Sequence, residues 1–328
     1  MTITVIGHPC KDVLHIPAPP GSDGTETVIE DYGGILYSIV TLASLMNGRD
    51  VLQPVFGVSA AEYDGVMELL KQYKQVDPSG VYRVKGPMNQ VHLFYDGATP
   101  GGRIECSRNI SQPIPFSRIK PFLDADGVLI NMISGSDIGL ETLDYIRMET
   151  RDRSVPLHFD FHSLTLGIDE EFKRFRRPLT DWRRWCFMLH TVQMSESEAA
   201  GLAAERYDEA TLINQLMPLM VSTLLITRGE RGVTVITQDI HKKLTRHDIP
   251  GVSFGPAKDP TGCGDVFGAA YFFQLLKSRD SVAAASFANN AAALKATVIG
   301  LEGLRAVGKQ LTDPAAATTA TASEQRGQ

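Results

Sequence analysis

The chain has 328 residues, 43% of them apolar, with a formal net charge of −6 and a pI near 5.8. An acidic chain with no Lys/Arg block longer than pairs such as those at 176–177 and 183–184 offers no field for a nucleic-acid backbone, so no nucleic acid is expected as partner. No stretch approaches the roughly 18 apolar residues of a membrane span, and the opening MTITVIGHPC has no basic leader region, so no membrane partner and a cytoplasmic location are expected.

In chain order, strand-like runs at 2–6, 51–56, 127–132, 156–161, 185–190 and 222–227 alternate with helical patterns at 35–47, 61–74, 139–150, 196–203 and 208–218. This alternation predicts an α/β layered fold with a mostly parallel sheet. Two regions, about 10–32 and 79–108, carry short β-type runs without helices between them, and predict a small separate sheet. From residue 312 onward Ala, Thr, Ser and Gln dominate, and 312–328 reads as a disordered tail. Cys10, Cys106, Cys186 and Cys263 lie far apart with no C-x-x-C spacing, so free thiols are expected.

The most informative stretch is Asp259-Pro260-Thr261-Gly262-Cys263-Gly264-Asp265. Val266, Phe267, Ala269, Ala270, Phe273, Leu275 and Leu276 follow at helical spacing, so a glycine-rich turn opens a helix. Amides of Gly262, Cys263 and Gly264 are expected to point forward with the positive end of the helix dipole, and small side chains let an anion approach. Asp265 then stands beside any hydroxyl aimed at a phosphorus atom, as a candidate base kept ionised by the dipole. A capped helix with a stabilising first-turn carboxylate explains the same residues without a ligand. Cys263, at a helix start, is either a thiol of lowered pKa or a small space-filler.

Three further segments carry chemistry. Leu224 to Val235 reads as a β-hairpin whose turn holds Gly229 and Gly232. Ser195 and Glu198 form a capping-box pair before Ala199. His158, Asp160 and His162 share one face of a predicted strand, but i and i+4 lie about 13 Å apart, too far to share an ion. Gly303 to Lys309 nearly spells a Walker A loop; Gln310 lacks the hydroxyl such a loop needs, and Pro314 interrupts the following helix.

DPTGCGDVF resembles the C-terminal signature of the ribokinase (PfkB) family of carbohydrate kinases, with Pro260 for the usual Thr and Cys263 for Ala. The resemblance implies an α/β three-layer sandwich with a mostly parallel central sheet and a small β-sheet lid, as one kinase domain over 1–311. It implies ATP-dependent phosphoryl transfer to a hydroxyl of a sugar or sugar-like acceptor, with ATP and Mg2+ as cofactors and Asp265 as catalytic base beside Gly262, Cys263 and Gly264. Thr227, Gly229 and Gly232 are similar to the family's nucleotide-binding turn, and Asn290 is placed with them at the nucleotide. Ser195 and Glu198 stand at its Asn-x-x-Glu, so Glu198 is expected to act on Mg2+ through water. Asp12, Gly33, Gly34 and Asp160 are expected at the acceptor, although Cys10 and Ser38 replace asparagines there and the Arg usual downstream of Asp160 is not evident. Asp259 and the Thr261 carbonyl match a monovalent-cation site of some relatives, which implies potassium activation. The lid offers a surface for a homodimer. A nucleoside or vitamin-type kinase of the same fold, and a non-catalytic sugar-binding regulator, remain as alternatives.

Overall fold

The computed structural model describes residues 1–18, 25–95 and 103–312. The predicted tail, and parts of both lid segments, lie outside the described residues. Nine strands form the central sheet, in the order Leu244–Ile249, Val233–Gln238, Thr223–Thr227, Thr191–Ser195, Leu157–Asp160, Gly127–Asn131, Thr2–Ile6, Val51–Ser59 and Val81–Val84. The pairings of Val233–Gln238 with Leu244–Ile249 and with Thr223–Thr227 are antiparallel; the remaining neighbours are parallel.

Every residue of Gly127–Asn131 and of Leu157–Asp160 is buried, which requires cover on both faces of the sheet. Helices Ile35–Leu45, Cys263–Ser278, Ser281–Ala296 and Gly300–Val307 pack on one another as one group, while Leu140–Arg151 packs with Phe116–Ile119 and Trp182–Cys186. The Cys263–Ser278 helix is apolar almost all round, burying Val266, Phe267, Tyr271, Phe272 and Phe273. That is the pattern of a helix enclosed by its neighbours, each large side chain contributing roughly 1.5–3 kcal/mol on burial. It touches the strands ending at Asn131 and Asp160, so its first turn lies near the carboxyl ends of the parallel strands, where open α/β sheets place their sites.

A second sheet has the order Thr27–Gly34, Pro9–Ile16, Asn89–Tyr95, Arg103–Arg108. It is the separate sheet predicted for the two irregular regions, and its central pair is parallel. Val81–Val84 does not belong to it: this run pairs with Val51–Ser59 and forms one edge of the central sheet.

Two predicted elements differ. The run at 185–190 is not a strand: Trp182, Trp185 and Cys186 bury themselves at i, i+3, i+4 in a short helix, Met188 turns the chain in the left-handed region, and the strand begins at Thr191. Likewise the strand at 156–161 stops at Asp160, and His162 opens a 3-10 turn at a φ of 38°, so His158, Asp160 and His162 do not share a strand face. The hairpin Leu166–Ile168 with Arg174–Arg176, and the edge strand Leu244–Ile249, had no predicted counterpart. Gly303 to Val307 is helical, which removes the Walker-like loop.

Candidate active site

Gly262 caps the Cys263–Ser278 helix in the left-handed region, at a φ of 80°. A Cβ there would lie 2.6 Å from the Tyr37 ring, so the position needs glycine for both conformation and space. The Cys263 amide donates to the Pro260 carbonyl oxygen at 3.2 Å and is not free, contrary to the expectation for it. The amides of Gly262 and Gly264 have no acceptor among the described residues, and these are the donors the turn can offer an anion. Burial pushes the Cys263 thiol up to about 11, so the space-filling reading holds and the activated-thiol reading does not.

Asp265 is the third residue of that helix, 4% exposed. Asn131, the last residue of its strand, donates from Nδ2 to Oδ1 of Asp265 at 2.6 Å, and His162 Nε2 lies 3.9 Å from the same oxygen. Burial raises the carboxyl to about 7, with the Asn131 hydrogen bond opposing and the Asp12 charge adding to the rise. The helix dipole therefore does not keep Asp265 fully ionised; desolvation outweighs it, and the group is poised near neutrality. Asp265 is buried, but its nearest side-chain neighbours are polar: Asn131, and the His162 ring, which is itself about one-third exposed. Desolvation of this partly buried ring, then the charges of Arg103, Arg174 and Arg176, hold His162 below its usual range, and a neutral ring makes no ion pair with Asp265.

Asp12 lies in the first lid strand, its carboxyl raised to about 6 chiefly by burial. Cys10 Sγ donates to Oδ1 and the Tyr37 hydroxyl to Oδ2, each at 3.2 Å. The Asp12 carboxylate lies over Gly33, where a Cβ would sit 2.0 Å from Oδ2; Gly34 turns into the Ile35–Leu45 helix at a φ of 64°. The double glycine thus seats the carboxylate at the lid's root. Asp160 accepts from Gln193 Nε2 at 3.0 Å, and Gln193 also donates to the Gly264 carbonyl oxygen, tying this strand end to the helix start. Burial, then Glu198 and Asp265, hold the Asp160 carboxyl well above its usual range.

Ser195 and Glu198 form the predicted capping box: the Ser195 amide donates to Glu198 Oε2 at 2.7 Å, and the Glu198 amide to Ser195 Oγ at 3.3 Å. Glu198 Oε1 lies 3.6 Å from Arg176 Nη1. Burial raises the Glu198 carboxyl, against these hydrogen bonds and the Arg176 charge. Among the described residues, no three His, Cys, Asp or Glu side chains cluster tightly enough to ligate a metal directly.

Beyond the helix start lies a cavity of about 520 Å³. Thr227, Gly229, Gly232 and Gly264 line its polar end; Phe267 and Ala292 belong to its apolar wall. Gly232, at a φ of 95°, would drive a Cβ to 2.1 Å from the Ile249 carbonyl oxygen. The amide facing this cavity from the Ser281–Ala296 helix is Asn289, which also donates to the Pro250 carbonyl oxygen. Asn290, the residue expected there, is rotated about 100° away and does not line it.

The cation expectation meets a different occupant. The Asp259 carboxylate accepts from the Thr261 and Gly300 amides and from the Tyr95 hydroxyl, and the Lys295 ammonium lies beside it. Thr261 Oγ1 is held by Tyr95 and Arg103, both from the lid.

Residues 176–304 match the family model of the pfkB family carbohydrate kinases. The chain resembles the ribokinase (pfkB) family in sequence and fold alike. The pfkB match runs from Arg176 through the hairpin glycines, the helix start and Lys295. The ribokinase from Thermotoga maritima superposes with a TM-score of 0.71 at 18% identity, covering 98% of this chain and 99% of its own. Arabidopsis thaliana ribokinase, solved with ribose and ATP, gives 0.70 at 17% identity over 95% and 98%. A pyrophosphate-dependent kinase in the ribokinase family, solved with a pyrophosphate analog and myo-inositol, gives 0.70 at 17% over 93% and 99%. No curated protein matches the chain in sequence.

His162, Asn131, Gln193, Arg176 and Lys295 were not read from the sequence as site residues. Asn131 ends its strand and Gln193 lies in the middle of another, each inside an apolar run, a placement that signals a site only once strand order is known. Arg176 belongs to the missed hairpin. Lys295, a lone cation in the Ala-rich run Ala291-Ala292-Ala293-Leu294-Lys295-Ala296, was the readable signal.

Proposed function

We propose that the protein is a kinase that transfers the γ-phosphoryl group of ATP to a hydroxyl of a sugar or sugar-like acceptor. The observation carrying this reading is the juxtaposition of Asp265, raised to about 7, with unpartnered amides of Gly262 and Gly264 on the same turn. A base matched to neutral pH and an anion-binding turn are what phosphoryl transfer to an alcohol requires. Asp265 takes the acceptor proton. The two amides hold charge on the transferring group, Asn131 aims the carboxylate, and Asp12 with Asp160 orients acceptor hydroxyls from opposite sides.

Pyrophosphate is the rival donor. The apolar wall around Phe267, Ala292, Ala293 and Ala296 favours ATP, because pyrophosphate has no base to bury there. The donor set suits Mg2+ held through water: Glu198 and Asp160 are carboxylates whose mutual repulsion a dication relieves. Glu198 and Asp160 would hold the ion through water, and it would supply positive charge against the donor phosphates.

The test is ADP release from ATP, and phosphate release from pyrophosphate, with a panel of sugars, polyols and nucleosides, comparing wild type with Asp265→Asn. Acceptor-dependent ADP release lost in the variant is the expected result. Turnover with pyrophosphate alone moves the donor assignment. Binding of an acceptor without turnover above the variant's, for either donor, makes the protein a sugar-binding regulator.

A further inference from the structure

Lys295 is completely buried, and the site chemistry above does not use it. Its ammonium donates to the Asp259 carbonyl oxygen at 3.2 Å, to the Val298 carbonyl oxygen at 3.3 Å and to Asp259 Oδ2 at 3.4 Å. The Tyr37 ring centroid lies 5.6 Å away, presenting a further electron-rich wall. Two main-chain carbonyls and a carboxylate form an oxygen cage of the kind that replaces the hydration shell of a monovalent ion.

Burying an ammonium costs several kcal/mol in desolvation, and an apolar residue of similar size often stabilises a core at least as well. What the ammonium adds is position. It clamps the main chain at 259 and at 298, while the carboxylate it neutralises takes the Thr261 and Gly300 amides. The turn carrying Gly262 therefore hangs from a cation that is covalently part of the chain.

We propose that Lys295 is a positioning residue that serves as the resident cation of the 259–262 turn, occupying the place of a monovalent metal ion and making the turn independent of potassium. Its bearing on phosphoryl transfer rests on the kinase reading; its hold on the turn does not.

The experiment compares wild type with Lys295→Ala in LiCl, NaCl, KCl and NH4Cl at matched ionic strength, by thermal melting and by titration with a fluorescent ADP analogue. The wild type should show one melting temperature in all four salts. Lys295→Ala should melt several degrees lower in NaCl and LiCl and recover selectively in KCl and NH4Cl, whose ions match an ammonium group in size. Its affinity for the ADP analogue should fall about tenfold in NaCl and return with the same two ions, about 1.4 kcal/mol. Selective stabilisation of the wild type by K+, or a variant indifferent to cation identity, overturns the proposal. A wild type that binds no nucleotide in any salt counts against the kinase reading alone, because the melting pattern still reports the cage. If Lys295→Ala is recovered only as aggregate, Lys295→Met is refolded in each salt. Recovery confined to K+ and NH4+ supports the resident cation, and equal recovery or equal failure in all four refutes it.

Discussion

Asp265 is where the residue-scale chemistry concentrates. Its carboxyl is raised to about 7, so on the proposed mechanism the deprotonated base is lost as pH falls and kcat/KM should rise through a limb near pH 7. Asn131 opposes that rise by hydrogen-bonding the carboxylate, and Asn131→Leu should move the limb to higher pH in a rate profile. Asp265→Asn should cut turnover by about 10²–10⁴-fold. The same variant should also melt higher. Between the unfolded value of 3.8 and the folded value of about 7, the native state binds more protons than the unfolded chain, so stability falls as pH rises through that window. Removing the group removes that loss, with a ceiling of about 4 kcal/mol, so the gain in melting temperature should grow from pH 5 to pH 8. A gain that is flat with pH would show that desolvation of Asp265 is not what raises it.

At the scale of elements, the hairpin Thr223–Thr227 with Val233–Gln238 shows how backbone geometry shapes a cavity. Gly232→Ala meets a positive φ and the Ile249 carbonyl oxygen at once, and should destabilise the protein by roughly 1–3 kcal/mol in chemical denaturation while weakening nucleotide binding. The elements best read from sequence were those whose periodicity has one interpretation: the parallel strands at 2–6, 127–131 and 223–227, the hairpin, and the Cys263 helix. The misread run at 185–190 has bulky residues that favour strand and helix alike, and only packing decided between them. Asn289 rather than Asn290 faces the cavity, since a helix assigned without its packing face leaves neighbouring asparagines equivalent. The potassium expectation centred on Asp259 and Thr261 did not include the Lys295 ammonium found beside that carboxylate, because Lys295 lies 36 residues downstream, a separation no local pattern spans.

Across the whole molecule, the small sheet and the 259–262 turn are linked through Tyr95 and Arg103, whose side chains reach Asp259 and Thr261. Arg103→Met should loosen that closure. Hydrogen exchange should quicken in 89–95 and 103–108, and KM for the acceptor should rise more than kcat falls; unchanged exchange would mean the latch contributes nothing to closure. Layer order, the separate lid sheet and the position of the helix start were legible because an α/β alternation admits few topologies. The lid's grip on the turn was not legible, since it depends on two side chains brought together over more than 150 residues of sequence.

Tyr37 spans two elements of the candidate site with a single phenol: its oxygen engages the Asp12 carboxylate, and its ring packs against Gly262, which opens the Cys263–Ser278 helix. A flat ring has no soft joint with which to absorb a shift at one end. A substitution that displaces one end of the ring would therefore press on the other, and relatives of this chain that differ at one end should carry a paired substitution at the other.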